Sequence, residues 1–193
     1  ASAQGKPNFP KPINPIFIFC PINYSLNTLL MFTTGNIKDN WPTDFNFQWV
    51  RQPLKDSETE LWNELGYKAN HYSGLMYDNK NPMPDWVEQL GSHFPGLKNK
   101  TYTLYKMETC DIMPTHVDHF ETYCRIFSVE RDLVVRALVF LEDWKPGHYF
   151  EIAGIGVTNW KRGDWFKWTC DEPHAASNIG IDPRYTLQIT GHV

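Results

Sequence analysis

The sequence predicts a mainly-β fold, a double-stranded β-helix or jelly roll preceded by short helices. Residues 101–193 alternate between short strand-like runs and turns, whereas both helical patterns lie upstream of them. Turn-forming pairs, among them Pro146-Gly147 and Arg162-Gly163, separate several of these runs. So many short strands in one stretch are typical of a jelly roll, whose two Greek keys bring sequence-distant strands side by side.

Length and composition indicate one domain of 193 residues. Within it we expect a flanking α/β segment over 1–100 and the jelly-roll core over 101–193. Hydrophobic residues make up 41% of the chain, which is enough for a packed core and excludes a disordered protein. The net charge of −4 argues against nucleic-acid binding as the main activity.

The sequence is typical of a protein of the cytoplasm. No apolar run approaches the length needed to cross a membrane. The four cysteines are scattered, with no C-x-x-C pair, as is typical of reduced thiols in the cytosol. We therefore expect a cytoplasmic location and neither a membrane nor a nucleic acid as partner.

The first hundred residues contain two helical patterns after a proline-rich start. Residues 1–15 carry four prolines and predict an extended arm, and the apolar run at 16–19 predicts a buried strand. A capping box before an apolar stripe predicts a helix over 57–65. A proline start followed by a second stripe predicts another helix over 84–93.

The core strands follow from period-2 alternation and turn signals. They are predicted at 101–107, 112–117, 133–141, 148–152, 155–160, 164–169, 173–178 and 184–191. In a jelly roll the second and seventh of these strands are neighbours. Residues 119–132 then form a long loop at the mouth of the roll, where lids and substrate-binding segments are common.

Two histidines and an aspartate belong to those two neighbouring strands. His116 and Asp118 are two apart, so on a strand they share a face, and His174 stands 58 residues after His116. Two imidazoles and one carboxylate can take one face of a divalent metal and leave coordination positions open for chemistry. The three residues are the predicted metal ligands and catalytic centre, although the ligand types alone would accept Fe, Mn, Co or Zn.

This pattern resembles the Fe(II)/2-oxoglutarate-dependent oxygenases, the superfamily of the prolyl hydroxylases. Members combine the His-x-Asp pair and the distal histidine with a downstream arginine followed two residues later by serine or threonine. In this chain Arg184 and Thr186 stand at those positions. The resemblance covers roughly 102–191, and residues 175–185 also look like those of small viral and marine-microbial members.

The resemblance implies an enzyme that uses Fe(II) and 2-oxoglutarate, with ascorbate as reductant. Such an enzyme hydroxylates a peptide side chain or a small molecule with O2 and releases succinate and CO2. Arg184 would bind the distal carboxylate of 2-oxoglutarate through two parallel hydrogen bonds. Thr186 would add a hydrogen bond to that carboxylate. Tyr105, on the first core strand, would contact it as well, and a packed core aromatic is the alternative for this residue.

Further residues are weaker candidates for substrate or cofactor contacts. Arg136 alternates in phase with apolar residues of the third core strand and could enter the barrel, although an exposed salt-bridge arginine is the alternative. His119 and Arg125 lie in the segment after the metal motif and could touch substrate. Trp168 is expected to be a core or sheet-surface aromatic.

Two other functions stay open. A cupin-like metalloenzyme would use no 2-oxoglutarate, but cupins usually carry His-x-His where this chain has Asp118 second, and Arg184-x-Thr186 would have no role. A non-catalytic jelly-roll binding module would make the ligand triad accidental, while its tryptophans would suit stacking on sugars. Metal analysis followed by a succinate assay separates all three.

Overall fold

The computed structural model of the protein describes residues 32–54, 56–67, 72 and 74–193, so the predicted arm and the strand at 16–19 lie outside it. Its strands are β1 (Phe32–Asn36), β2 (Val50–Arg51), β3 (Leu75–Asp78), β4 (Lys98–Met107), β5 (Ile112–His116), β6 (Val134–Phe140), β7 (His148–Ile152), β8 (Ile155–Val157), β9 (Asp164–Thr169), β10 (His174–Asn178) and β11 (Arg184–His192). Its helices are α1 (Asp56–Glu64), α2 (Asp85–Ser92) and α3 (Glu121–Phe127), with a 3-10 turn at Arg131–Leu133.

The described strands form two facing antiparallel sheets. The larger sheet has the order β1-β9-β6-β11-β4-β3-β2, and the smaller has the order β5-β10-β7-β8. Each sheet holds four of the eight strands β4 to β11, and the crossovers place β4 beside β11 and β5 beside β10. This strand order is that of a double-stranded β-helix with two Greek keys. The predicted fold is therefore confirmed.

Period-2 alternation in the larger sheet separates an outer core from the barrel interior. On β6, Val135 and Ala137 pack outward against α2 and the segment before it. Leu138 and Phe140 point inward and pack against residues of β7 and β9. Arg136 shares their inward face, and the same alternation on β11 turns the side chains of Arg184, Thr186 and Gln188 into the interior.

The flanking segment and the mouth of the roll differ from the sequence-based expectation. The helices expected at 57–65 and 84–93 are present as α1 and α2, but β1, β2 and β3 also extend the larger sheet. These strands are short, and β1 and β2 are largely exposed, so they carry no clean alternation. The expected loop at 119–132 contains α3, which follows Phe120 without a side-chain cap and so lacks the usual start signal.

Three of the four cysteines and all of the helices named above lie in the described ranges. Cys110, Cys124 and Cys170 are free thiols, whereas Cys20 belongs to the residues outside those ranges. None of the helices found there is long and apolar enough to cross a membrane.

Candidate metal centre

The pairing of β5 with β10 brings the predicted ligands together. His174 is the Cα partner of His116 across the two strands, and the centres of their rings are 4.3 Å apart. Asp118 lies two residues after the last residue of β5, and its Oδ2 is 3.8 Å from Nε2 of His174. One ligand atom from each of the three residues lies within 4.8 Å of the others. A single divalent ion can therefore contact all three side chains.

Hydrogen bonds to carbonyl groups set the tautomer of both histidines. Nδ1 of His116 lies 2.8 Å from the carbonyl oxygen of Pro114, and Nδ1 of His174 lies 2.9 Å from that of Glu172. Because a carbonyl only accepts, each Nδ1 carries the proton and Nε2 keeps its lone pair for a metal. Burial lowers the pKa of His174 to about 4, so this imidazole is neutral at neutral pH, the state that binds metals.

Asp118 supplies the negative charge of the site. Burial raises the pKa of its carboxyl, but the positive charge of Arg136 and the two nearby imidazoles hold that pKa below its usual value. Oδ2 is buried and has no hydrogen-bond partner among the described residues. The indole N–H of Trp168 also lowers this pKa, although its geometry falls short of a hydrogen bond. A bare, ionised oxygen beside two imidazole lone pairs fits a metal cation.

A cavity of about 110 Å³ connects the ligand triad to Arg184. We call its two extremities the metal end, formed by His116, Asp118 and His174, and the arginine end, formed by Arg184, Thr186 and Tyr105. Between them the cavity is lined by Met107, Met113, Arg136, Leu138, Phe150, Trp168 and Gln188. The predicted metal ligands and the predicted carboxylate-binding residues thus face one enclosed space.

Arg184 is a buried cation with no salt-bridge partner among the described residues. Its exposed fraction is 3%, Nη1 lies 2.9 Å from the sulfur of Met107, and the guanidinium stands 5.7 Å and 5.6 Å from the ring centres of Phe140 and Trp160. Burial lowers its pKa to about 10, which leaves it charged at neutral pH. No carboxylate of the described chain forms a salt bridge with it, and its Nε has no partner there. Such a group is costly unless an anion joins it, so this end fits a carboxylate ligand.

Thr186 and Tyr105 flank Arg184 as cross-strand partners on β11 and β4. Thr186 is buried and lines the cavity. The hydroxyl of Tyr105 donates to Oε1 of Gln52 at 2.7 Å and accepts from the backbone N–H of Gly74 at 2.7 Å. Tyr105 therefore lines the cavity while its hydroxyl ties the flanking segment to the core.

The three weaker candidate residues lie at different places relative to the cavities. Arg136 enters the barrel and lines the inner cavity. His119 is exposed and lines two outer spaces of about 540 Å³ and 410 Å³, which share Gln52, Asp118 and His119 at the metal end. Arg125 is on an exposed face of α3 and lines none of the three spaces.

Two residues at the site were not predicted to take part in it. Trp168 is buried, as expected of a core aromatic, but its ring centre also lies 4.9 Å from that of His174. Alternation along β9 could have turned Trp168 inward, but no local signal names the histidine as its neighbour. Gln52 reaches the cavity from the flanking segment, at a position just before the first predicted helix.

Comparisons with known proteins find only distant structural likeness. No family model matches the sequence, and no curated protein matches it. A prolyl-4-hydroxylase from Pseudomonas putida is similar in structure, with a TM-score of 0.47 and 15% identity over 75% of this chain and 91% of that one. A predicted oxalate decarboxylase from Thermotoga maritima has a TM-score of 0.40 and 12% identity, over 63% of this chain and 82% of that one. A cupin protein from Bacteroides fragilis has a TM-score of 0.36 and 14% identity, over 51% of this chain and 70% of that one. Functional inference therefore depends on the residues of the site.

Proposed function

We propose that this protein is a non-haem Fe(II)/2-oxoglutarate-dependent oxygenase that hydroxylates a peptide side chain or a small molecule. The observation that carries the proposal is the single cavity with candidate metal ligands at one end and, at the other, a buried arginine that has no salt bridge within the described part of the chain. 2-Oxoglutarate has a keto acid at one end, which can chelate a metal, and a second carboxylate at the other. Both ends of the molecule find matching groups in this cavity.

Each residue of the cavity has a defined part in this proposal. Nε2 of His116, Nε2 of His174 and Oδ2 of Asp118 hold Fe(II), while Arg184 and Thr186 bind the distal carboxylate of 2-oxoglutarate. Bound iron and 2-oxoglutarate supply the oxidising chemistry, in which O2 converts 2-oxoglutarate to succinate and CO2 and one oxygen atom goes to the substrate. Apolar side chains around Arg184 exclude water, which strengthens its attraction for the carboxylate.

The substrate reaches the metal end from the two outer spaces. The space of about 410 Å³ has an apolar wall that includes Leu54, Trp62 and Pro173. The larger one, which we call the outer groove, runs along α3 and β4 and mixes aromatic side chains with charged ones. Because both spaces meet at Asp118 and His119, a group presented from either one arrives beside the metal ligands. This placement supports oxidation of a substrate held outside the barrel.

The test is succinate formation by purified protein supplied with Fe(II), ascorbate and 2-oxoglutarate under air. We expect slow succinate release even without the true substrate, and none in an anaerobic control. Asp118→Gly should release far less, because it removes the only carboxylate of the triad without adding another donor. A screen of peptides and small metabolites for faster 2-oxoglutarate turnover then identifies the substrate class.

The same assay separates the alternatives. A cupin-like metalloenzyme that does not use 2-oxoglutarate would bind one metal ion and release no succinate under any condition. A non-catalytic binding module would bind no metal at the triad. Arg184 favours the oxygenase, since neither alternative explains a buried cation at the end of the cavity.

A further inference from the structure

Arg136 stands at the boundary between the inner cavity and the outer groove, and it lines both. It points inward from β6, whose adjacent residues Val135 and Ala137 belong to the outer core. Its side chain is 17% exposed. The position is therefore set by the sheet, and the long side chain ends close to the metal end.

The guanidinium of Arg136 contacts two acceptors from different parts of the fold. Nη2 lies 3.5 Å from Oδ1 of Asp118, and Nη1 donates to Oε1 of Gln188 on β11. The other carboxylate oxygen, Oδ2, faces Nε2 of His174 at 3.8 Å. Arg136 thus engages one oxygen of Asp118 and leaves the second oxygen to the metal ligands.

Phe120 supports the guanidinium from the side of the outer groove. The central carbon of the Arg136 guanidinium lies 5.1 Å from the centre of the Phe120 ring, within the range of a cation–π contact. The backbone of Phe120 has a φ of 53°, a left-handed conformation that is costly for a bulky residue and persists where the surrounding structure imposes it. This strained residue comes two positions after Asp118 and places its ring beside Arg136.

We propose that Arg136 is a positioning residue that holds Asp118 with Oδ2 toward the metal, so that the aspartate binds through one oxygen only. The proposal rests on the metal site proposed above. A planar guanidinium suits the task because its fork reaches Asp118 and Gln188 at once, whereas an ammonium group is a point donor. Without this contact the carboxylate is free to rotate, and its second oxygen can take a coordination position that 2-oxoglutarate needs.

The experiment compares Co(II) binding by the full chain of wild type, Arg136→Gln and Arg136→Lys. Co(II) stands in for iron, and its visible d–d absorption reports the number and geometry of its ligands. We expect Arg136→Gln to weaken Co(II) binding by about 10-fold to 100-fold, the usual effect of losing a partner of a metal ligand, and to change the absorption spectrum. Arg136→Lys should recover part of the affinity, because it keeps the charge without the fork.

Two further variants complete the test. Lys161→Gln is the control: it breaks an exposed ion pair with Asp143 that has the same 3.5 Å length as the pair of Arg136 with Asp118. The Co(II) affinity and the absorption spectrum of this variant should stay at wild-type values. Gln188→Met removes the brace behind Arg136 and should give a smaller change in the same direction. If Arg136→Gln does not fold, Gln188→Met and Arg136→Lys are compared with wild type in its place.

The outcomes separate the two proposals. The positioning role is overturned if Arg136→Gln binds Co(II) with wild-type affinity and an unchanged spectrum. The same result in both Gln188→Met and Arg136→Lys overturns it if Arg136→Gln does not fold. Either result leaves the metal site standing. Failure of the wild-type protein itself to bind Co(II) overturns the metal site, and the positioning role with it.

Discussion

The metal end and the arginine end of the inner cavity differ in what encloses them. The metal end lies where β5 and β10 pair in the smaller sheet, and it opens to both outer spaces beside Asp118. The arginine end lies on the larger sheet, where Arg184 packs among Met107, Phe140 and Trp160. In the proposed function, 2-oxoglutarate would therefore bind in one orientation, with its distal carboxylate at the arginine end and its keto acid at the metal end.

The two ends also differ in how much of their chemistry the protein supplies. At the metal end, two imidazoles, of which burial keeps that of His174 neutral, and an ionised carboxylate already form a ligand set. At the arginine end, a cation is buried without a salt bridge to any carboxylate of the described chain, although the charge of Glu142 acts on it from farther away. The metal end is thus complete for binding a cation, whereas the arginine end becomes balanced only when an anionic ligand arrives. Substitutions at the two ends should have separable effects.

The largest expected effect is the loss of metal binding in His174→Ala. This change removes one of three ligands, so binding should fall below the range of a calorimetric Co(II) titration, beyond the roughly 100-fold reached by losing an outer partner. His93→Ala is the matched control, because His93 pairs with Asp39 at the surface. One full equivalent of metal bound by His174→Ala with wild-type affinity would show that the triad is not the metal site.

A large effect confined to the arginine end is expected from Arg184→Ala. The variant should bind 2-oxoglutarate more weakly by about 2–5 kcal/mol, the usual cost of breaking a buried charged pair, while metal binding stays near wild type. Arg184→Lys should recover part of the loss. Titration of 2-oxoglutarate into the metal-loaded proteins under anaerobic conditions measures this. Equal affinities in wild type and Arg184→Ala would mean that another group binds the carboxylate.

The unbalanced charge of Arg184 should also be visible in stability. Its pKa of about 10, against an ordinary 12.5, corresponds to a cost on the order of 3 kcal/mol for keeping the cation in the fold. Arg184→Met removes that cost, so the ligand-free variant should unfold about 5 °C or more above wild type. Metal with 2-oxoglutarate should raise the midpoint of wild type more than that of the variant. A lower midpoint for ligand-free Arg184→Met would show that Arg184 stabilises the fold through its aromatic contacts.

The smallest effect is expected from Tyr105→Phe. The variant loses the hydroxyl that joins Gln52 and Gly74, so its free energy of unfolding should fall by about 0.5–1.5 kcal/mol per hydrogen bond. Its affinity for 2-oxoglutarate should fall much less than that of Arg184→Ala. Denaturant unfolding and the anaerobic titration measure the two quantities. A loss of affinity equal to that of Arg184→Ala would place the Tyr105 hydroxyl in direct contact with the carboxylate.

The metal end was accessible to sequence reasoning because its geometry is mostly local. The spacing of His116 and Asp118 needs only the two-residue repeat of a strand, and one topological rule then places the strand of His174 beside them. The inward face of Arg184 and Thr186 followed from the same repeat. By contrast, α3 begins after a left-handed Phe120 with no capping side chain, so the sequence showed no helix there.

The positions of the eight core strands, the two-sheet fold and the residue types at both ends of the cavity were readable from the chain, because period-2 alternation and turn formation are properties of neighbouring residues. Side-chain contacts across the interior were not. The contact of Arg136 with Asp118, the packing of Trp168 on His174 and the bond from Tyr105 to Gln52 each join residues from separate strands or segments. Such contacts depend on the register and spacing of whole sheets, which no local pattern encodes. That Arg184 has no salt bridge to a described carboxylate could likewise be recognised only once its neighbours in the structure were in place.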